Sequence, residues 1–263
     1  MKIAEQFIQG KHSAADCEDG IVVTDHFAAV IDGSTSKTPF RLDPTVKNGR
    51  YAMLLIAAYI RKMPADATME TFCQGVTQRI AAEYSCRGIT ARMAAHPEER
   101  LTASAIIYSN MRHEVWMVGD CQAIVDGTLE ENGKPGEHEA AMLRADLIKK
   151  GMTPAEARRH IEPMLVAAIR AVMPRQEYSN RHYAVIDGTP IYMGGTRLIR
   201  ACREVVLASD GYPFLLPTLR DSEEALARQL KDDPQNLSSF LATKGIVEGN
   251  LSFDDRAYVR LYV

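Results

Sequence analysis

"FAAVIDGSTSK", residues 27–37, runs from an apolar β-type stretch into an aspartate, a glycine and a series of hydroxyl residues. An Asp-Gly pair behind a strand is most often a turn. Here it follows an apolar run at four places, Asp32, Asp126, Asp187 and Asp210, and they are not alike. "QAIVDGTLEEN" (122–132) and "YAVIDGTPIYM" (183–193) set Asp-Gly between two β-type runs. That is the signal of a two-residue hairpin, so Asp126 and Asp187 are predicted turn residues. "FAAVIDGSTSK" and "VVLASDGYPF" (205–214) lead instead into polar or proline-bearing loop and then helix, with no partner strand directly behind. A hairpin does not account for Asp32 or Asp210.

The surrounding pattern sets the fold class. β-type runs fall at 21–24 and 27–31, then at 103–108, 114–118 and 122–125, then at 182–186, 189–193 and 205–208, with an alternating closing strand at 256–263. Helical spacing appears at 46–62, 68–84, 137–173, 222–231 and 237–244. Thr153, Pro154 and Glu156 in "TPAE" make a strong helix start, and Gly245 a stop. Short strands come in groups with helix pairs between the groups. This predicts an α+β protein of antiparallel sheets with helices on the outer faces, and argues against a doubly wound parallel sheet. With no repeat and no Pro/Gly-rich linker, 1–263 reads as one domain, with 130–180 a helical insertion or flap.

Composition narrows the function. Of 263 residues, 31 are Lys or Arg and 34 Asp or Glu, a formal charge of -3. Neither a nucleic-acid partner nor a membrane surface is expected from that balance. No run approaches the roughly 20 apolar residues of a membrane span, and the opening "MKIAEQFIQGKHS" has no signal-peptide pattern. The five cysteines are scattered without C-x-x-C spacing, so a disulfide framework is not expected and a cytoplasmic setting fits. Cys17 and Cys121 read as small buried hydrophobes.

Further carboxylates resemble Asp32 and Asp210 in position. "CEDG" puts Glu18 and Asp19 ahead of a strand, "EVWMVGDCQAIV" puts Asp120 in a break between strands, and "LSFDDRAYV" puts Asp254 and Asp255 ahead of the last one. Singly, each is a solvated turn residue. Together they predict a cluster on one rim of the sheets. Two like charges about 4 Å apart repel by roughly 1 kcal/mol in water and about 4 kcal/mol at an effective dielectric near 20, so such a cluster calls for cations. Oxygen donors without histidine or thiolate suit Mg²⁺ or Mn²⁺ rather than zinc.

The ordered series "EDG" (18–20), "VIDGSTS" (30–36), "LTASAIIY" (101–108), "VWMVGDCQAIV" (115–125), "VVLASDGY" (205–212) and "FDDRAYVRLYV" (253–263) resembles the type-2C metal-dependent protein phosphatase family across residues 18–263. The resemblance implies a four-layer α-β-β-α sandwich, two antiparallel sheets flanked by helix pairs, with a two-metal site in the cleft at one end. It implies that Asp32 bridges two Mn²⁺ or Mg²⁺ ions, that the Gly33 carbonyl and Glu18 complete the second, and that Asp210 and Asp254 hold the first. Asp19 and Asp120 would lie close by, orienting metal-bound waters or helping a third, weaker cation. Asp32, Asp120 and Asp210 are then the catalytic candidates. The implied activity is hydrolysis of phosphoserine or phosphothreonine in proteins by a hydroxide bridging the metals.

Two positions depart from the family pattern. The phosphate-gripping arginine expected four residues before Glu18 is Ala14, leaving Lys11 or His12 as candidate phosphate ligands. The histidine that often follows the Asp-Gly is Ser34, and His26 nearby reads as a loop residue. These departures keep two other functions open, a phosphatase of a small phosphorylated metabolite and a non-catalytic regulatory or binding module of the same fold. Thr102 and Ser104 read as strand packing, and Met142, Met152, Met164 and Met173 as helix core or lid packing.

Overall fold

A computed structural model describes residues 1–172 and 184–263. In chain order the strands are β1 (Lys2–Gln9), β2 (Asp19–Val23), β3 (Phe27–Gly33), β4 (Ala103–Ser109), β5 (Glu114–Val118), β6 (Gln122–Val125), β7 (Thr128–Glu130), β8 (Arg197–Arg200), β9 (Glu204–Ala208) and β10 (Arg256–Tyr262). The helices are α1 (Asn48–Ile60), α2 (Met69–Cys86), α3 (Thr90–Ala95), α4 (Glu137–Lys149), α5 (Pro154–Val172) and α6 (Leu219–Asp232). Every strand pair is antiparallel, in two five-stranded sheets ordered β1-β10-β9-β6-β7 and β2-β3-β4-β5-β8.

Burial on both faces explains why β3 and β4 read as unbroken apolar runs. Along β3, Ala28 and Val30 point between the sheets, where they join Ile106, Met117, Val205, Leu207 and Val259. Phe27, Ala29 and Ile31 point outward and pack with Ile56 of α1, Phe72 of α2 and Trp116 of β5. The rings of Phe27 and Phe72 lie 6.0 and 6.4 Å from that of Trp116. On the far face of the other sheet, Ile124, Val206 and Tyr258 pack against Tyr212 and Leu215, on the segment that leads into α6. The result is the expected α-β-β-α sandwich.

Within 130–180, α4 and α5 pack on each other, and α5 is tied to the body by Arg170, whose guanidinium meets the Glu98 carboxylate at 2.7 Å. The predicted cap holds: the Glu156 amide donates to Thr153 Oγ1 at 3.3 Å, and Glu156 Oε2 accepts from the Thr153 amide at 3.0 Å. Residues 173–183, which include Met173 and the first part of the strand expected at 182–186, lie outside the described residues. Met142, Met152 and Met164 are exposed rather than packed in a core.

The structure corrects several sequence expectations. β1 is not among the predicted strands because its polarity does not follow its burial: burial alternates along it, but the half-buried side carries Glu5 and Gln9 beside Ile3 and Phe7, and Ile8 is exposed. The expected helix at 237–244 is a loop: the Asp233 carboxylate accepts from the amides of Leu237 and Ser238, competing with helical pairing. The strand expected at 189–193 falls instead at β8. No hairpin forms at Asp187; its buried carboxylate pairs with Arg100 at 2.8 Å and also accepts from the Thr189 amide. Asp126, by contrast, sits in a two-residue hairpin, with Val125 paired to Thr128. All five cysteines are free. Among the described residues no helix is long and apolar enough to cross a membrane.

Candidate metal centre

The carboxylates are carried by strand ends at one end of the sandwich. Asp32 is the penultimate residue of β3, in register with Asp19 on β2 and Ser104 on β4. After β5 the chain leaves one sheet for the other over Gly119–Cys121, which carries Asp120 across the gap. Asp210 lies two residues beyond β9 and Asp254 two residues ahead of its neighbour β10. Oxygen atoms of Asp32, Asp120 and Asp210 all lie within 4.8 Å of one another.

Glycines let these segments approach. A Cβ on Gly33 would run into the carbonyl oxygen of Gly49, at the start of α1, and would stand 2.6 Å from the Glu18 carbonyl. A Cβ on Gly211 would run into the Asp255 carbonyl. Neither glycine has the left-handed conformation; both are there for space. Gly119 does have it, at φ 92°, and Ser104 fills the position a side chain would take. The Ser104 hydroxyl donates to Asp120 Oδ1 and accepts from the Asp120 amide at 3.3 Å. Ser104, read from sequence as strand packing, therefore orients Asp120.

Burial, followed by repulsion from Asp210, Asp19 and Asp120, holds the Asp32 carboxyl well above the usual carboxylate range. Burial likewise raises Asp19, which Asp254, Asp255 and Asp210 push further. Asp210 is pushed up to about 6 by burial, against the opposing pull of Lys134, with Asp120 and Asp254 adding to the rise. Glu18 Oε1 and Asp19 Oδ2 are buried with no hydrogen-bond partner among the described residues. Hard oxygen donors with unmet charge and unmet lone pairs suit a divalent cation such as Mg²⁺ or Mn²⁺.

No protein-family model matches the chain, and no curated protein matches it in sequence. Solved structures do. The serine/threonine phosphatase Stp1 from Staphylococcus aureus aligns over 100% of this chain and 95% of its own, with a TM-score of 0.50 and 12% identity. The fold is that of the type-2C metal-dependent phosphatases. The Mycobacterium tuberculosis serine/threonine phosphatase PstP/Ppp aligns over 99% of this chain and 98% of its own, at TM-score 0.47 and 15% identity. PppA, a key regulatory component of T6SS in Pseudomonas aeruginosa, aligns over 100% and 99%, at TM-score 0.45 and 14% identity. The likeness to Stp1 speaks to the fold; the site rests on its own geometry.

Within this phosphatase fold, the predicted residues separate. Asp32, Asp120 and Asp210 converge, and Asp19 faces Asp32 across the ladder. Glu18 and Gly33 adjoin them at the start of α1. Asp254 is held by two lysines, one on each carboxylate oxygen: Lys11 Nζ lies 3.2 Å from Oδ1, and Lys244 pairs with Oδ2. Although burial opposes it, Lys244 and Lys11 hold the Asp254 carboxyl well below the usual range. Its neighbour Asp255 has a different task. Its oxygens accept from the backbone amides of Lys11 at 2.7 Å and Glu18 at 3.1 Å, fixing the β1–β2 loop.

Lys11 thus reaches the site, but its charge is taken up by Asp254, Asp255 at 3.3 Å and Glu18 at 3.9 Å. His12 is exposed and makes no hydrogen bond or ion pair with the carboxylates among the described residues. His26 sits at the far end of the β2–β3 hairpin from Asp19 and Asp32. Sequence reading missed Lys134, which pairs with Asp120 and lies 3.7 Å from Asp210, and also Lys244. Neither lysine stands at a helix or hairpin spacing from its acidic partner, Asp120 or Asp254, so no local pattern marks the pair.

Proposed function

We propose that this protein is a metal-dependent phosphomonoester hydrolase acting on phosphoserine or phosphothreonine in proteins. The observation that carries the reading is the convergence of Asp32, Asp120 and Asp210 from three strand ends within 4.8 Å. In this reading Asp32, Asp120 and Asp210 hold the ions, with Glu18, Asp19, the Gly33 carbonyl and Asp254 completing the set. Divalent ions held there would supply Lewis acidity and activate water as the nucleophile. The chain's own residues order the site. Ser104 fixes the Asp120 carboxylate, Asp255 fixes the loop that carries Glu18, and the start of α1 closes over Glu18 and Gly33. Without cations the clustered carboxylates would repel a phosphate dianion, so cations at the cluster are needed for substrate to approach.

A second reading, a non-catalytic module that keeps the fold, draws support from the lysines. Lys134, Lys244 and Lys11 already satisfy part of the charge on Asp120, Asp210 and Asp254, and Ala14 and Ser34 replace two groups usual in the family. Release of p-nitrophenol from its phosphate ester, with Mn²⁺ and with chelator, separates the two. Mn²⁺-dependent turnover that is lost in Asp32→Ala is expected. No turnover, with Mn²⁺ still raising the thermal unfolding midpoint, would favour the module. Turnover on the small ester but on no phosphopeptide would move the substrate to a phosphorylated metabolite.

A further inference from the structure

Two of the lysines on the carboxylate cluster come from the insertion itself or from a segment that the insertion holds. Lys134 stands in the connection from β7 to α4 and pairs with Asp120 Oδ2, with Asp210 Oδ2 at 3.7 Å. Its segment is pinned beside the cluster. The Asn132 side-chain amide donates to the Gly119 carbonyl, next to Asp120, at 3.0 Å, and Arg197 of β8 donates to the Glu131 carbonyl at 2.7 Å. Lys244 pairs with Asp254 Oδ2 from the loop after α6. Both insertion helices grip that loop. Arg144 of α4 donates to the Gln235 carbonyl at 2.7 Å and to its side-chain oxygen at 2.9 Å. Arg158 of α5 donates to the carbonyl of Thr243, the residue before Lys244, at 2.8 Å.

The two ammonium groups and a divalent ion compete for the same oxygens. Asp120 and Asp210 are two of the three carboxylates that converge, and Lys134 reaches both. Oxygen ligands lie about 2.1 Å from an ion such as Mg²⁺, so the Lys134 ammonium would overlap it and repel it. Loading these carboxylates therefore requires Lys134 to withdraw, and Lys244 stands in the same relation to Asp254 Oδ2. Both lysine side chains are partly exposed, so water is at hand for a released ammonium. The grip on the Lys244 loop is also releasable. Arg144 is buried, yet among the described residues no carboxylate stands within ion-pair distance of it, and its partners are neutral oxygens. A buried guanidinium without a counter-charge bears a desolvation cost that water would relieve if α4 moved off the loop.

We propose that Lys134 and Lys244 are a latch on the metal site: they occupy its carboxylates in place of divalent cations, and the α4–α5 insertion sets how firmly they do so. The inference rests on the metal-binding part of the reading above, not on turnover. Lys134 and Lys244 act as competitors of the metal, and Arg144 and Arg158 as positioning residues for Lys244. Whatever draws the insertion away from the 235–244 loop then raises the affinity for metal. Lys11, carried by the β1–β2 loop, is outside the latch.

The test titrates Mn²⁺ into the full chain by calorimetry, with the thermal unfolding midpoint as a second readout. Lys134→Met should bind Mn²⁺ about tenfold more tightly than wild type and Lys244→Met about fivefold. Lys134→Arg, which keeps the charge, should stay within about twofold, and Lys150→Met, just past α4, should be unchanged. Arg158→Met should tighten binding by about threefold and add nothing in a Lys244→Met background, because it acts only through Lys244. Arg144→Met repeats that test from the other helix. Unchanged or weaker Mn²⁺ binding in both lysine-to-Met variants would overturn the latch, and would leave the metal-site reading standing if wild type binds Mn²⁺ equally well. No Mn²⁺ binding by any variant would overturn both. A gain in Lys150→Met equal to that in Lys134→Met would reduce the effect to net charge and overturn the latch, and full additivity of Arg158→Met with Lys244→Met would remove the insertion from it. Tighter Mn²⁺ binding in Lys134→Met and Lys244→Met, in a protein without turnover, would support the latch and remove the hydrolytic reading instead.

Discussion

Asp126-Gly127 and Asp32-Gly33 are the same dipeptide behind the same kind of apolar strand, yet they do opposite work. At the first, both residues are left-handed, with φ of 51° and 93°, and the chain reverses in two residues from β6 into β7. The Asp126 carboxylate is then free to accept from the amides of Cys202, Arg203 and Glu204, pinning the turn to the edge of β9. At the second, Gly33 keeps an ordinary strand conformation and supplies empty space, into which the first turn of α1 fits. Asp210-Gly211 follows the second pattern, against the Asp255 carbonyl. Asp187-Gly188 shares the left-handed glycine, at φ 86°, but its carboxylate is buried on Arg100. What distinguishes a turn aspartate from a candidate ligand is thus whether its glycine is needed for backbone angle or for room.

The largest expected contrast is in turnover. Asp32→Ala or Asp210→Ala should lower Mn²⁺-dependent hydrolysis of p-nitrophenyl phosphate by about 10²–10³-fold, while Asp126→Ala stays within about twofold of wild type. Equal losses at all three positions would erase the distinction.

Stability should separate Asp126 and Asp187, the two sites predicted as hairpins, next. Asp187→Ala leaves Arg100 buried without its partner and should cost about 3–5 kcal/mol in denaturant unfolding. Asp126→Ala removes an acceptor at the surface and should cost about 1 kcal/mol. A smaller loss at Asp187 would show that the buried pair is not the difference between them.

The glycines give a finer test. Gly33→Ala should weaken Mn²⁺ binding by about 10–100-fold, because α1 must move away from the cluster. Gly127→Ala should leave Mn²⁺ affinity alone and cost about 1–2 kcal/mol of stability from its left-handed backbone. Mn²⁺ titrations monitored by thermal unfolding measure both.

The smallest effect lies away from either pair, at the anchor of the insertion. The hydrogen bond from Arg170, opposed by burial, holds Glu98 down to about 2, against its ordinary 4.5. The folded carboxyl is therefore the more acidic one. Its contribution is complete above about pH 4.5 and fades as pH falls towards 2. The stability difference between wild type and Glu98→Gln should shrink over that range. A difference that grows on acidification would reverse the assignment.

Much of this arrangement was legible in residue order. The doubly buried runs of β3 and β4, the grouping of strands, the cap at Thr153 and the acidic residues at strand ends all leave short-range marks, because side-chain alternation and helix capping act over a few residues. The misses have equally physical causes. β1 hides because its half-buried side carries Glu5 and Gln9 while Ile8 faces out, and 237–244 is drawn out of a helix by Asp233. The twin aspartates 254 and 255 look alike in sequence, and only their surroundings give one to the cluster and the other to two backbone amides.

By itself the sequence determined that this is an antiparallel α+β sandwich with carboxylates at its strand ends, since hydrophobic period and turn chemistry are written locally. Only the tertiary structure decided which carboxylates meet, that Ser104 steers Asp120, and that Lys11 serves Asp254 and Asp255. Those outcomes depend on how two sheets close over one another, and electrostatic partners separated by a hundred residues leave no trace in the spacing of either.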